Sequence, residues 1–279
     1  VFKKLKMNKL QVVFFVSFFL SVIGCEQTFQ PIDKTDDVFS MYGVLDVHSD
    51  TQWVRVMPIG GTLLPENPTD LGVEVRLIRE STSETTVLYD SLFNFSGDTY
   101  VRNYMLPDSV YPEEVYTIIA SNQEGEESTV VLDTPSYLEI PEVDENNGKT
   151  IVRGMLTDSL VVVSMNYLVQ PFTAFGCGDE LEVSISQMDN TFIYADGRFS
   201  FSIEGTQKIV DEVGTRDFVI NHRKIEVVTA TQSWPNASEL DDIEVALPEV
   251  LSNVENGTGV VAGIARRIVP LGPRIPPCE

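Results

Sequence analysis

Residues 115–133 read VYTIIASNQEGEESTVVLD, and this stretch decides the fold class. Two strand-like runs, 115–121 and 128–133, flank the turn Asn122-Gln123-Glu124-Gly125. Such a pair reads as a β-hairpin. Upstream, the apolar period is again two rather than 3.6. Val73, Val75 and Leu77 alternate with Glu74 and Arg76. Phe39, Met41, Gly43, Leu45 and Val47 alternate with Ser40, Tyr42, Val44, Asp46 and His48. Further strands are predicted over 53–58, 85–90 and 99–106. Seven short strands between residues 38 and 135, with turn signals between them, predict an N-terminal immunoglobulin-like β-sandwich.

Downstream, residues 136–149 break the alternation with Pro141 and the acidic run Asp144-Glu145-Asn146-Asn147-Gly148, and read as a linker. The acidic run lacks the alternate oxygen spacing of a calcium loop, so an ordinary turn is expected. Residues 150–279 read as a second β-rich domain, with strands predicted over 150–156, 160–169, 181–186, 199–203, 224–232 and 259–269. One short helix is predicted over 238–246, capped by Ser238 and stopped by Pro248. The fold class is therefore mainly β.

The first 24 residues differ from all of this. Lys3, Lys4, Lys6 and Lys9 precede an apolar run from Leu10 to Ile23. A bilayer span takes about 20 apolar residues, so the run fits the core of a signal peptide better. It ends Val22-Ile23-Gly24-Cys25, which resembles the bacterial lipobox. That resemblance implies cleavage before Cys25 and a thioether-linked diacylglycerol on its sulfur; the alternative is a plain secretory signal. Residues 25–37 are then the lipidated cysteine and a polar tether. Glu26 is not the aspartate that favours inner-membrane retention, so the outer membrane is expected.

Formal charge bounds the partners. The chain carries 19 Lys+Arg against 42 Asp+Glu, a net of −23. Without the four leader lysines, 15 cationic residues face 42 acidic ones, a net of −27. Such a surface repels phosphate backbones, which argues against nucleic acid. It also disfavours adsorption to anionic lipid, leaving the covalent anchor as the membrane attachment.

Catalytic motifs are not found. The two histidines, His48 and His222, fall in no zinc-protease pattern, and no serine elbow, phosphate loop or dinucleotide glycine pattern occurs. No catalytic, metal-binding or cofactor-binding residue is therefore assigned. Trp53, Trp234 and the nine tyrosines are candidates for a sugar platform; Trp53 is predicted to point away from Val54 and Val56, whereas Trp234, beside Pro235, reads as packing. Asp90-Ser91-Leu92, Asp108-Ser109-Val110 and Asp158-Ser159-Leu160 resemble the O-glycosylation triplet of exported Bacteroidetes proteins.

A family resemblance follows from two ends of the chain. Gly43-Val44-Leu45-Asp46, Gln52 to Pro58, Val73 to Leu77 and Tyr116 to Ile119 look like the first half of lipoproteins in domain-of-unknown-function family 4249. Residues 252–263, SNVENGTGVVAG, are similar to that family's closing motif, with Thr258 where Leu is usual and Val261 where Phe is usual. The resemblance implies a Bacteroidetes envelope lipoprotein working alongside TonB-dependent outer-membrane receptors. Taken with the lipobox, the expected function is a non-catalytic binding or accessory module anchored at the outer membrane. The alternative is a structural or adhesion protein of the cell envelope.

The three cysteines give the first prediction. After export, with Cys25 acylated, Cys177 and Cys278 are expected to pair as a disulfide; two free thiols are the alternative. The bridge would close a loop of about 100 residues, for which chain entropy gives about 4–5 kcal/mol before strain. Mass spectrometry of unreduced, denatured exported protein should find Cys25 acylated and one linked Cys177–Cys278 peptide pair. Alkylation of any of the three by a thiol reagent counts against the scheme.

Overall fold

The computed structural model describes residues 37–59, 72–96, 99–146, 149–173, 176–203, 206–231, 234–235 and 251–272. The leader, Cys25, the tether up to residue 36, the predicted helix over 238–246 and Cys278 lie outside the described residues. Within them the alternation does what period two requires. In β7 (Val115–Ser121), Tyr116, Ile118 and Ala120 are buried and the residues between them are not. In β8 (Glu127–Asp133), Ser128, Val130 and Leu132 turn inward. The hairpin between them closes through Asn122, whose Oδ1 accepts the Glu126 amide at 2.9 Å. Gly125 sits there at φ +83°, a left-handed value that favours glycine.

The first half is a sandwich. One layer is a five-stranded sheet in the order β17 (Val254–Glu255), β8, β7, β3 (Glu74–Arg79) and β4 (Glu84–Val87). The other contains β1 (Phe39–Asp46), β2 (Gln52–Pro58), β6 (Thr99–Leu106) and β5 (Tyr89–Ser96). Val75, Ile118 and Val130 from the first layer share one buried cluster with Met41, Val54 and Tyr104 from the second. Tyr116 Oη accepts the amide of Tyr111 at 2.9 Å. This is the tyrosine corner of immunoglobulin-like sandwiches, a hydroxyl reaching back to the backbone a few residues upstream.

The second half adds β9 (Glu142–Asn146), β10 (Lys149–Met155), β14 (Thr191–Ile193) and β15 (Arg198–Ile203), which make a separate four-stranded sheet. Its longest strands, β11 (Ser159–Thr173), β16 (Phe218–Ala230) and β18 (Gly257–Leu271), instead extend the layer that holds β1. β12 (Gly176–Cys177) and β13 (Leu181–Ser186) pair with β11 at its edge. The result is a nine-stranded sheet to which both halves contribute. Among the described residues there is one α-helix, α1 (Thr206–Val213), held by the buried Ile209 and the half-buried Val213 one turn on, and one 3-10 turn, Met188–Asn190. Among the described residues no helix is long and apolar enough to cross a membrane.

The expected division at 136–149 requires correction. Residues 142–146 are strand β9, paired with β10 from Asn146↔Lys149 to Glu142↔Arg153. The preceding segment is tied down: Ser136 N donates to Asp158 at 3.0 Å, Leu138 N to His48 at 3.1 Å, and Arg267 Nε to the Leu138 carbonyl at 2.7 Å. The described residues from Asp37 onward form one compact unit. The physical reason is β18, which lies late in the chain but pairs parallel with β1 from Phe39↔Gly257 to Asp46↔Ile264.

Two glycines make that insertion sterically feasible. Gly259 has φ +114°, and a Cβ there would overlap the Met41 carbonyl. A Cβ on Gly263 would strike the Asp133 carbonyl and lie 2.8 Å from Thr134 Cα. Gly259→Ala is therefore expected to destabilise the protein by about 2–4 kcal/mol, from strain plus backbone collision. Urea unfolding of the exported protein measures it; an unchanged midpoint would show that the β1–β18 contact relaxes freely.

Candidate functional site

Among the described residues, His48, His222, Trp53, Trp234 and the acidic run lie on separate elements. Cys177 lies on β12, exposed, opposite Phe172. His222 is exposed on β16, across from Leu168. Trp234 is half-buried and packs against the small cluster of Val228, Ala230 and Ile264. Within the acidic run, Glu145 is an ion-pair partner: its Oε1 accepts Arg223 Nη1 at 2.8 Å, and Arg223 also donates to the Gly272 carbonyl at 2.8 and 3.0 Å. Among the described residues no group of three or more His, Cys, Asp or Glu is placed to hold a metal ion.

His48 has a defined structural task. It follows β1, lies against Tyr137 with ring centroids 5.2 Å apart, and accepts the Leu138 amide on Nε2. An imidazole accepting on Nε2 is neutral at that nitrogen. Burial, and then the Arg267 guanidinium, hold its pKa below the ordinary 6.5, with Asp46 pulling the other way.

Trp53 is the sequence-predicted residue around which a surface assembles. Alternation in β2 buries Gln52, Val54 and Val56 and turns Trp53, Arg55 and Met57 to the outer face of the nine-stranded sheet. Across the ladders Trp53 faces Val44 on β1 and Met105 on β6, Arg55 faces Tyr42, and Met105 faces Tyr89. Phe93, four residues further along β5, meets Trp53 edge to face at 5.2 Å. These rings are open to solvent: Tyr42 is 47% exposed, Trp53 36%, Phe93 41% and Tyr89 61%. The face thus combines four aromatic residues with one guanidinium. Arg55 makes no ion pair or side-chain hydrogen bond among the described residues, and its buried Nε lacks an acceptor. Sequence reasoning found Trp53 and held Tyr42 and Tyr89 among its nine tyrosine candidates, but missed Phe93.

No family model matches the chain, and no curated protein matches it. Among solved structures it is similar to a pullulanase from Anoxybacillus sp. LM18-11, with 9% identity, a TM-score of 0.23, and coverage of 69% of this chain and 24% of that one. The pullulanase from the same source complexed with maltotriose gives 10% identity and a TM-score of 0.23, over 67% of this chain and 24% of that one. The chain thus spans about a quarter of the length of those enzymes. Likeness at this level carries no functional argument.

The His48 contact sets a pH dependence. With a folded-state pKa below 6.5, the unfolded chain takes up a proton that the folded one refuses as pH falls through 6.5. The stabilisation is full above that value and declines below it, levelling off once the folded imidazole also titrates. Between pH 8 and pH 5.5 the wild type should lose more stability to urea than His48→Gln, which cannot titrate. An equal loss in both would remove His48 from the pH response.

Proposed function

We propose that this protein is an outer-membrane lipoprotein, anchored through acylated Cys25, that acts as a non-catalytic binding module beside a TonB-dependent receptor. The outer face around Trp53 is its binding surface, and the Cys177–Cys278 bridge secures the end of the chain. The observation that carries the reading is the exposed cluster of Tyr42, Trp53, Phe93 and Tyr89. Isolated exposed apolar residues mean little, but a contiguous aromatic patch on a rigid element marks an interaction surface. The strands beneath it are paired on both sides of β1 and at Trp53, so the rings are held ready to bind. The lipobox and the resemblance to family 4249 supply the location and the receptor.

The test uses the full-length protein on arrays of glycans and peptides, together with affinity capture from native outer membranes. The wild type should be retained by a defined set of array features and should bring down a TonB-dependent receptor. Trp53→Ala with Phe93→Ala should weaken array binding by at least about tenfold, as loss of a central aromatic anchor does. Capture of further copies of the same protein alone, with no array binding, would instead favour the structural or adhesion reading.

A further inference from the structure

Resting on that reading of the Trp53 face, we propose that its ligand is a glycan bearing an isolated carboxylate, a uronate or sialate unit, with Arg55 as the carboxylate's partner. The argument starts from an imbalance. In a chain of net charge −23 cations are scarce, and most of the described arginines are paired. Arg76 is within 3.0 Å of Glu127, Arg223 within 2.8 Å of Glu145, Arg198 within 2.8 Å of Asp196, and Arg79 lies over the Tyr111 ring. Arg55 is half-buried and makes no such contact, and its Nε is shielded from water without an acceptor. A partly desolvated, uncompensated guanidinium is costly unless a ligand neutralises it. A carboxylate is the group its planar fork fits best.

The neighbours of Arg55 describe the rest of the ligand. Trp53 is two residues away on the same face, about 6.7 Å along the strand, and Tyr42 stands directly across, with Cβ atoms about 5 Å apart. A ring with an apolar face stacked on Trp53 thus leaves a carboxylate on the adjoining unit over Arg55. A peptide strand is the poorer fit at this place. Trp53 is paired to both β1 and β6, so its backbone offers no open edge for strand addition. The net charge narrows the choice again: a long polyanion is repelled by the molecule as a whole, while one carboxylate at a lone arginine is not.

Calorimetric titration of the full-length protein tests this with a glucuronate-branched xylotriose, a disaccharide carrying one galacturonate unit, and sialyllactose, each beside its neutral counterpart. At least one acidic sugar should bind ten times or more tighter than its neutral counterpart. Arg55→Met should erase that advantage, Arg55→Lys should restore only part of it, and Trp53→Ala should abolish binding of both members of the pair. Binding of none of the acidic sugars overturns the proposal, as does equal binding of a neutral counterpart or an advantage that survives Arg55→Met. Array binding confined to neutral glycans or peptides, yet dependent on Trp53 and Phe93, would sink this inference while leaving the binding-module reading intact.

Discussion

The two halves of this protein depend on one strand that belongs to two ladders. From Gly257 to Ile264, β18 runs parallel to β1; from Ile264 to Leu271 it runs antiparallel to β16. Ile264 is the hand-over point, opposite Asp46 on one side and Ala230 on the other. Where β16 does not yet flank it, the outward backbone groups of β18 find a substitute. Asn253 donates its amide to the Gly259 carbonyl at 3.1 Å, and its side chain meets both the N–H and the carbonyl of Val261, at 3.1 and 2.7 Å. One asparagine thereby supplies a missing neighbour. Ser128, fully buried, closes the other side by accepting the Phe39 amide at 3.1 Å and donating to the Asn256 carbonyl at 2.6 Å.

This arrangement gives the closing motif a physical content. In SNVENGTGVVAG, Asn253 is the surrogate ladder, Asn256 takes the left-handed turn at φ 52°, and Gly259 and Gly263 admit the backbones of β1 and of the end of β8. Thr258 is only half-buried, whereas Val261 is fully buried in the main core cluster, so of the two Thr258 is the freer to vary. The same contacts lock register. A slip of one residue between β1 and β18 would turn every side chain to the opposite face and bring Cβ atoms onto the Met41 carbonyl.

Much of the fold was legible where the signal was local. The predicted strands over 99–106, 115–121 and 181–186 coincide with β6, β7 and β13; burial alternates throughout β7, over 103–106 in β6 and over 182–186 in β13. Three kinds of element were not legible. The run over 85–90 straddles Leu88, which is buried between β4 and β5, so an apolar stretch conceals a break between two strands. Ending the predicted run at Asp90 cut β5 short and removed Phe93 from view. The first part of β16 carries Asn221, His222 and Arg223 and reads as polar, yet Arg223 is buried because Glu145 and the Gly272 carbonyl neutralise and satisfy it. The β1–β18 pair is invisible locally: its partners lie more than 200 residues apart, and parallel pairing leaves no hairpin turn to announce it.

The position of β1 also bears on how an anchored molecule would carry load. About a dozen residues separate Cys25 from β1, enough chain to reach roughly 40 Å when extended. That chain enters the fold not at a sheet edge but at a strand paired on both sides, parallel to β18 and antiparallel to β2. Tension along β1 therefore acts across two ladders at once, shearing all their hydrogen bonds together. At an edge strand the same pull would open them one after another. β18 passes the load on to β16 and β11 through Ile264, while β2 holds Trp53 and Arg55 one strand from the point of entry. The interaction that unites the halves thus also braces β1, the strand beside the aromatic face.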